Sequence, residues 1–268
     1  MNNNCFLKLF FLFVTYIIVG TPLNGQTVYN DSAHDVEKYR LNECERAVSA
    51  IKSSMPYTAI EIIQEIKKKY QLNNLEYGIM ANAYNITHSY EKTKELYKES
   101  NISKEINRDN LLFYLLYIKA LSETEEYHEA LPLREKAINY LENNRNYMYA
   151  NTLTDEYYYM SQDYYNLKEY DISQKWLDKA ITLRLTLIDS NIKEVVKEKI
   201  VDNSLANFFA TYYMIKLMQN PIGKDNDCYL ALSVACGNAN GKNLLQLSGK
   251  NYKSLLRRFL RQIKKKSN

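Results

Sequence analysis

Aromatic and aliphatic residues recur at intervals of three, four and seven residues through the middle of the chain, with polar residues between them. In the stretches that begin at Tyr77, Tyr114 and Tyr157, one large side chain follows after three residues and another after seven. Such offsets place side chains on one face of a helix. A tyrosine then follows six residues further on in every stretch, as Tyr90, Tyr127 and Tyr170. The pattern predicts two helices joined by a short turn in each stretch.

Small residues occupy matching positions on the two helices of a stretch. We expect Ala81 to face Thr93 and Ser161 to face Ser173, so that paired helices approach closely. This pattern resembles the tetratricopeptide repeat, a helix–turn–helix unit of about 34 residues with an aromatic start and a small residue in its second helix. The resemblance covers about residues 36–188. It implies an all-α fold, an α-solenoid of stacked hairpins over residues 33–188.

The repeats depart from the family pattern in length and at single positions. The tyrosines that follow each turn are 33, 37 and 43 residues apart, at Tyr57, Tyr90, Tyr127 and Tyr170. Ile118 stands where a small residue is expected, and Arg134 stands where a large apolar one is expected. The connections or helices therefore lengthen along the chain.

Most tyrosines of the repeats are interpreted as core residues. A tyrosine on the packed face of a helix buries its ring and leaves its hydroxyl at the edge, where it can form a hydrogen bond. The tyrosines expected in the core are Tyr77, Tyr84, Tyr90, Tyr114, Tyr127, Tyr157, Tyr164 and Tyr170.

Helices are also predicted on both sides of the three stretches. Residues 36–51 and 57–70 form a first hairpin, because Pro56 disfavours helical backbone at the residue before it. Residues 189–268 form a helical C-terminal region, in which one long helix or two abutting ones precede two short helices around Gly237. The long helix is expected to bury Leu205, Phe208, Phe209, Tyr212 and Ile215.

The composition supports an exported helical protein. Glycine and proline number only 7 and 4 among 268 residues, which is typical of helical arrays because sheets need frequent turn residues. Residues 1–25 read as a signal peptide, since Lys8 precedes an apolar run over residues 9–20 and Gly25 offers a cleavage site. A retained N-terminal anchor is the alternative. In either case we expect the body in the periplasm, the cell envelope or the medium.

No catalytic or metal-binding motif is found in the sequence. His34, His88 and His128 lie far apart, and the last two are expected in exposed turns. The cysteines of the exported body match no metal-binding spacing and are interpreted as buried free thiols, at Cys44, Cys228 and Cys236. We therefore expect no catalysis, no metal and no cofactor.

The resemblance implies a protein or peptide partner, bound in a groove that the first helices of the hairpins line. Carried over residue by residue, the candidate partner-binding residues are Asn82, Asn85, Lys119, Glu123, Tyr158, Gln162, Tyr165 and Asn166. Tyr158 and Tyr165 are expected to face outward. Because these positions offer rings and amides together, a glycan is an alternative ligand.

The last 19 residues, 250–268, carry eight basic residues and no acidic one, which leaves the preceding chain at a net charge of −4. Leu256 and Phe259 belong to an apolar stripe on the same predicted helix. Three interpretations remain open. The helix closes the repeat array, it lies on an anionic membrane surface, or it contacts nucleic acid, although export argues against the last.

Overall fold

The structure of the protein is a computed structural model that describes residues 31–100, 105–144, 147–223 and 225–266. Every regular element within these ranges is an α-helix, and no strand occurs among them, which confirms the all-α prediction. The chain divides into two compact units, Met1–Asn143 and Asn144–Asn268. The predicted signal peptide at residues 1–25 lies outside the described residues.

The first unit consists of three helical hairpins that pack in chain order. α3 packs against both helices of the first hairpin, and α5 packs against both helices of the second. The predicted first hairpin is confirmed, with its break before Pro56. The helices are α1 (Asp31–Lys52), α2 (Pro56–Lys69), α3 (Asn74–Ile86), α4 (Tyr90–Glu99), α5 (Leu111–Glu123) and α6 (Tyr127–Asn143).

The second unit begins with the longest of the hairpins and continues into a C-terminal helical cluster. α10 packs on α8 and pairs with α11, and both α12 and α13 pack on α11. The predicted domain boundary at residue 188 therefore falls within this unit. The helices are α7 (Tyr147–Asn166), α8 (Tyr170–Leu187), α9 (Ile192–Glu198), α10 (Asn203–Gln219), α11 (Asn226–Ala235), α12 (Ala239–Leu247) and α13 (Tyr252–Lys266).

The same turn joins the two helices of each of the four described hairpins. One residue of each turn has a left-handed φ between 55° and 66°: Ser54, His88, Glu125 and Lys168. In every case its amide donates to the carbonyl three residues back, and the next amide donates to the carbonyl five residues back. This is the Schellman motif, which normally places glycine at the left-handed position. None of the four residues is glycine, so each turn carries a conformational cost.

Small side chains bring the helices of the hairpins together, as the pattern predicted. Thr93 is fully buried, and its hydroxyl oxygen lies 3.4 Å from the carbonyl oxygen of Ala81. In the second unit the Ser173 hydroxyl donates to the carbonyl of Ser161 at 2.7 Å, and the two hydroxyls lie 3.1 Å apart. Both predicted pairs are confirmed. Each contact joins positions twelve residues apart across the left-handed turn.

Tyrosine rings fill much of the space between the hairpins of the first unit. Tyr97 of α4 stacks on Tyr117 of α5 with ring centroids 3.8 Å apart, and Tyr77 of α3 stacks on Phe113 at 5.4 Å. Four of the predicted core tyrosines are buried, namely Tyr77, Tyr84, Tyr114 and Tyr157. The other four are only partly buried, because they lie at or near the turns: Tyr90, Tyr127, Tyr164 and Tyr170.

Charged groups also enter the packing of the first unit. Arg40 of α1 donates two hydrogen bonds to Glu76 of α3, at 2.8 and 2.5 Å, and the Glu76 side chain is fully buried. Glu76 also completes the capping box that starts α3 at Asn73. Arg134, at the position where an apolar residue was expected, is 2% exposed and donates to the Ser122 hydroxyl at 2.9 Å.

The single tryptophan of the chain lies in the second unit. Trp176 of α8 has its ring centroid 5.8 Å from that of Tyr157, and the Lys179 ammonium lies 3.9 Å from the indole centroid. The three cysteines of the described residues are buried and unpaired, which confirms the prediction for them. Burial raises the pKa of the Cys44 and Cys236 thiols to about 12, so both stay protonated at neutral pH.

Candidate binding face on α7 and α10

The structure buries the asparagines predicted to line a groove in the first unit. Asn85 is 3% exposed and donates to the Leu116 carbonyl at 2.9 Å, while its side-chain oxygen accepts from Thr93 at 2.8 Å. It therefore links α3 to α4 and α5. Asn82 is 2% exposed, and its side-chain nitrogen has no hydrogen-bond partner. Neither asparagine offers an exposed side chain to a partner.

The two predicted residues of α5 are more accessible. Lys119 is partly buried and Glu123 is exposed. Glu123 accepts a hydrogen bond from Tyr90, the first residue of α4. Burial, and then the Glu123 charge, raise the pKa of the Tyr90 phenol to about 12. The four predicted residues of this unit thus form no continuous exposed face.

Tyr158 of α7 packs against α10 instead of facing open solvent, so the prediction of an outward-facing ring is wrong. Its hydroxyl lies 3.2 Å from that of Thr211 and accepts a hydrogen bond from Gln162 at 2.8 Å. Its ring centroid is 4.8 Å from that of Phe208. Burial raises the pKa of the Tyr158 phenol. The structure therefore brings Tyr158 and Gln162 together and connects them to a helix that begins 45 residues after Tyr158.

The other two predicted residues of α7 lie further along the same helix. Tyr165 is partly buried, with its ring centroid 5.5 Å from that of Tyr170, and burial raises the pKa of its phenol. Asn166 is exposed at the last position of α7. The spacing of Tyr158, Gln162 and Tyr165 places all three on one helical face.

A second row of residues, which the sequence analysis missed, lies on α10. All five residues of the apolar stripe predicted for α10 are buried, and the opposite side of this helix is accessible. Met214 and Met218 lie on that side, and Thr211 lies at the edge between them and the buried stripe. Met214 is 45% exposed and Met218 is 50% exposed. The spacing of three and four residues was visible in the sequence, but nothing there indicated that α7 would be the neighbour.

Arg184 of α8 links α7 to the start of α10. Its guanidinium donates to Asp202 at 3.0 and 2.6 Å and to Asn151 of α7 at 2.9 Å. Asp202 in turn caps α10 by accepting from the amide of Leu205 at 2.8 Å. The early part of α7 thus adjoins the start of α10, and Tyr158 adjoins Thr211 further along. The two helices therefore run in the same direction.

An acidic group lies on the same face of α7, between Asn151 and Tyr158. Asp155 is partly buried. Burial, and then the neighbouring carboxylate of Glu156, raise the pKa of Asp155 to about 7, while Arg184 acts in the opposite direction. Arg184 is engaged by Asp202 and Asn151, so it compensates Asp155 only in part. The Asp155 carboxyl is therefore a group that titrates near neutral pH.

We call the residues Asp155, Tyr158, Gln162, Tyr165, Thr211, Met214 and Met218 the α7–α10 face. Its polar atoms are hydroxyl, amide and carboxyl groups, and its exposed apolar atoms include two thioethers. Methionine side chains adapt their shape to different partners. Such a face can hydrogen-bond a peptide backbone and pack against apolar side chains.

Side chains typical of metal centres do not converge anywhere in the described ranges. No group of three His, Cys, Asp or Glu residues there could hold a metal ion. His88 lies in its predicted turn, with Nδ1 2.9 Å from the Tyr90 hydroxyl. His128 was expected in a turn but is the exposed second residue of α6.

None of the described helices combines the length and apolar character that crossing a bilayer requires. Comparisons with models of protein families, with curated proteins and with solved structures find no match to this chain.

Proposed function

We propose that this chain is a non-catalytic scaffold that holds a protein or peptide segment along the α7–α10 face. The observation that carries the proposal is the direct contact of Tyr158 on α7 with Thr211 and Phe208 on α10. Further along α10 than Thr211, the side chains of Met214 and Met218 are 45% and 50% exposed. Exposed apolar side chains next to ordered polar groups are typical of peptide-binding surfaces.

The finer architecture that we propose is an α-solenoid of tetratricopeptide-like hairpins. Two observations support it. The same Schellman turn recurs in four hairpins, and within the first unit the first helix of the second and of the third hairpin packs against both helices of the hairpin before it. The proposed location is outside the cytoplasm, on the evidence of the apolar run and small-residue exit in residues 1–25.

A peptide suits the α7–α10 face better than a glycan does. Sugar hydroxyls require side chains with free hydrogen-bonding capacity, whereas the Tyr158 hydroxyl already contacts Thr211 and Gln162. The exposed thioethers of Met214 and Met218 favour apolar side chains. We therefore expect a peptide with apolar residues opposite the methionines.

Selection from a displayed library of random peptides tests the proposal. The wild-type chain should enrich a family of related peptides, and the Met214→Glu, Met218→Glu double variant should bind the selected peptides at least about tenfold more weakly. Both methionines are about half exposed, so the variant should keep its helical content and melting temperature.

The matched control is the Val201→Glu, Ile222→Glu double variant. These residues are 72% and 91% exposed, lie in the same unit and belong to loops outside the α7–α10 face. The control should bind the selected peptides as the wild type does. The proposal fails if no peptide family is enriched, or if both double variants lose binding equally.

A further inference from the structure

The apolar stripe of the basic C-terminal helix is already occupied within the protein. Leu256 of α13 is buried, and the Phe259 ring lies 6.0 Å from that of Tyr229 on α11. The Cys228 thiol of α11 also donates to the Leu255 carbonyl at 3.7 Å. This helix therefore covers α11 and keeps its basic side chains on the outside.

The neighbouring helix α12 has an exposed apolar side that nothing in the described residues covers. Leu244 is 56% exposed and Leu247 is 86% exposed, while Leu245 and Gly241 on the opposite side are buried. Gly241 fits closely there, because an added Cβ would lie 3.0 Å from the Leu230 side chain of α11. α12 is thus fixed with its two leucines pointing outward.

Basic side chains surround the turn between α12 and α13. An open cleft of about 590 Å³ lies at this turn, and Lys242, Lys250 and Lys253 are among its lining residues. Lys250 pairs with Asp227 at 2.6 Å. Lys242 and Lys253 are exposed and form no ion pair in the part of the chain that the structure describes. Lys242 of α12 and Lys253 of α13 therefore belong to one cationic surface around the cleft.

The outer side of α13 extends this cationic surface. Lys253, Arg257 and Arg261 follow one another at intervals of four residues, and all are exposed. Arg258 pairs with Asp225 at 2.6 Å, so it contributes less. Residues 250–268 contain no acidic side chain that would offset the charge.

We propose that α12 and the outer side of α13 form a docking surface for an anionic lipid bilayer. The leucines Leu244 and Leu247 enter the boundary between headgroups and acyl chains, and the lysines and arginines contact lipid phosphates. Apolar insertion combined with attraction to anionic lipid is how interfacial helices bind membranes. Closing the fold and binding a membrane are then compatible roles of the C-terminal region, because different side chains perform them.

The exposed leucines favour a membrane over other polyanions as the partner of this surface. Nucleic acid or a sulfated glycan would engage the cations but would gain nothing from Leu244 and Leu247. A bilayer uses both features. The proposal goes beyond peptide binding, since these side chains lie outside the α7–α10 face.

Co-sedimentation of the full chain with vesicles tests the proposal. We expect stronger binding to vesicles that contain phosphatidylglycerol and phosphatidylcholine than to vesicles of phosphatidylcholine alone. The binding to phosphatidylcholine alone measures any contribution of the apolar residues 9–20, and the difference is the excess binding. The excess should fall as salt is added, because a Debye length of about 8 Å at physiological ionic strength screens the attraction. The Leu244→Ser, Leu247→Ser variant should lose about tenfold in affinity.

A second variant and two controls separate the components. Arg257→Gln with Arg261→Gln should also weaken the excess binding. The two controls are Ile222→Ser with Val201→Ser and Lys193→Gln with Lys197→Gln. They remove exposed side chains of the same unit and should leave binding unchanged.

Three outcomes would overturn the proposal. The first is an absence of excess binding to anionic vesicles. The second is a leucine variant that binds like the wild type while soluble heparin competes fully, which would identify a general polyanion surface. The third is an equal loss of binding in the control variants. Circular dichroism of each variant checks that the fold persists.

Discussion

Replacing Tyr158 by alanine is expected to lower the free energy of unfolding by about 3 kcal/mol. Its ring contact with Phe208 contributes about 0.5–1.5 kcal/mol, and its hydrogen bonds to Thr211 and Gln162 contribute about 1 kcal/mol each. Truncation of a fully buried aromatic residue costs about 3–5 kcal/mol. A partly buried ring belongs at the lower end of that range.

A urea titration followed by circular dichroism measures this loss. Tyr158→Phe keeps the ring and removes the hydroxyl with its two hydrogen bonds, so it should cost only about 2 kcal/mol. Tyr57, which is 68% exposed on α2, provides the matched control, and Tyr57→Ala should change stability by less than about 0.5 kcal/mol.

The register of the repeats alone leads to a different expectation. It assigns a large loss to Tyr164→Ala and almost none to Tyr158→Ala. In the structure both residues are partly buried, so we expect comparable losses. If Tyr158→Ala costs no more than Tyr57→Ala, the contact of Tyr158 with Phe208 and Thr211 of α10 is refuted.

Three further predictions concern the turns, the C-terminal helix and pH. Glu125→Gly should stabilise the chain by about 0.5–1 kcal/mol in a urea titration, because glycine adopts the left-handed φ of 63° without strain. The control Glu135→Gly, within α6, should destabilise it by about 1 kcal/mol. A loss of stability in Glu125→Gly would contradict the turn geometry. Deleting residues 250–268 should lower the melting temperature by exposing α11, whereas Arg257→Glu should leave it nearly unchanged. A truncated chain that melts like the full chain would argue against the packing of α13. The raised pKa of Asp155 should make stability fall as pH rises from about 4 to about 7, since the folded state favours the protonated carboxyl. In Asp155→Asn the free energy of unfolding should depend less on pH over this range. An unchanged pH dependence would contradict the burial of that group.

Local spacing allowed the hairpins to be predicted, but it did not reveal their neighbours. Ala81 and Thr93 lie only twelve residues apart, so the helix period and one short turn are enough to place them together. Tyr158 and Thr211 lie 53 residues apart, with α8 and α9 between them. Helical period determines which side of α7 Tyr158 occupies, but only tertiary packing determines whether another helix covers that side.

The candidate face was predictable in part for the same reason. Gln162 and Tyr165 follow from the repeat register, whereas Met214 belongs to a helix outside the recognised repeats. In the first unit the register placed Asn85 in a groove, yet its side chain hydrogen-bonds the Leu116 carbonyl. A buried amide with backbone partners and an exposed amide in a groove have the same spacing along the chain.

The position of Trp176 makes the fluorescence of this protein selective. Selective excitation of the indole reports only on the second unit, since the first unit contains tyrosines but no tryptophan. Loss of the Tyr157 and Lys179 contacts on unfolding should change both the intensity and the colour of that emission. Circular dichroism reports on the helices of both units at once. Comparing the two signals in one titration therefore measures, without any label, whether the halves of the chain unfold together or one after the other.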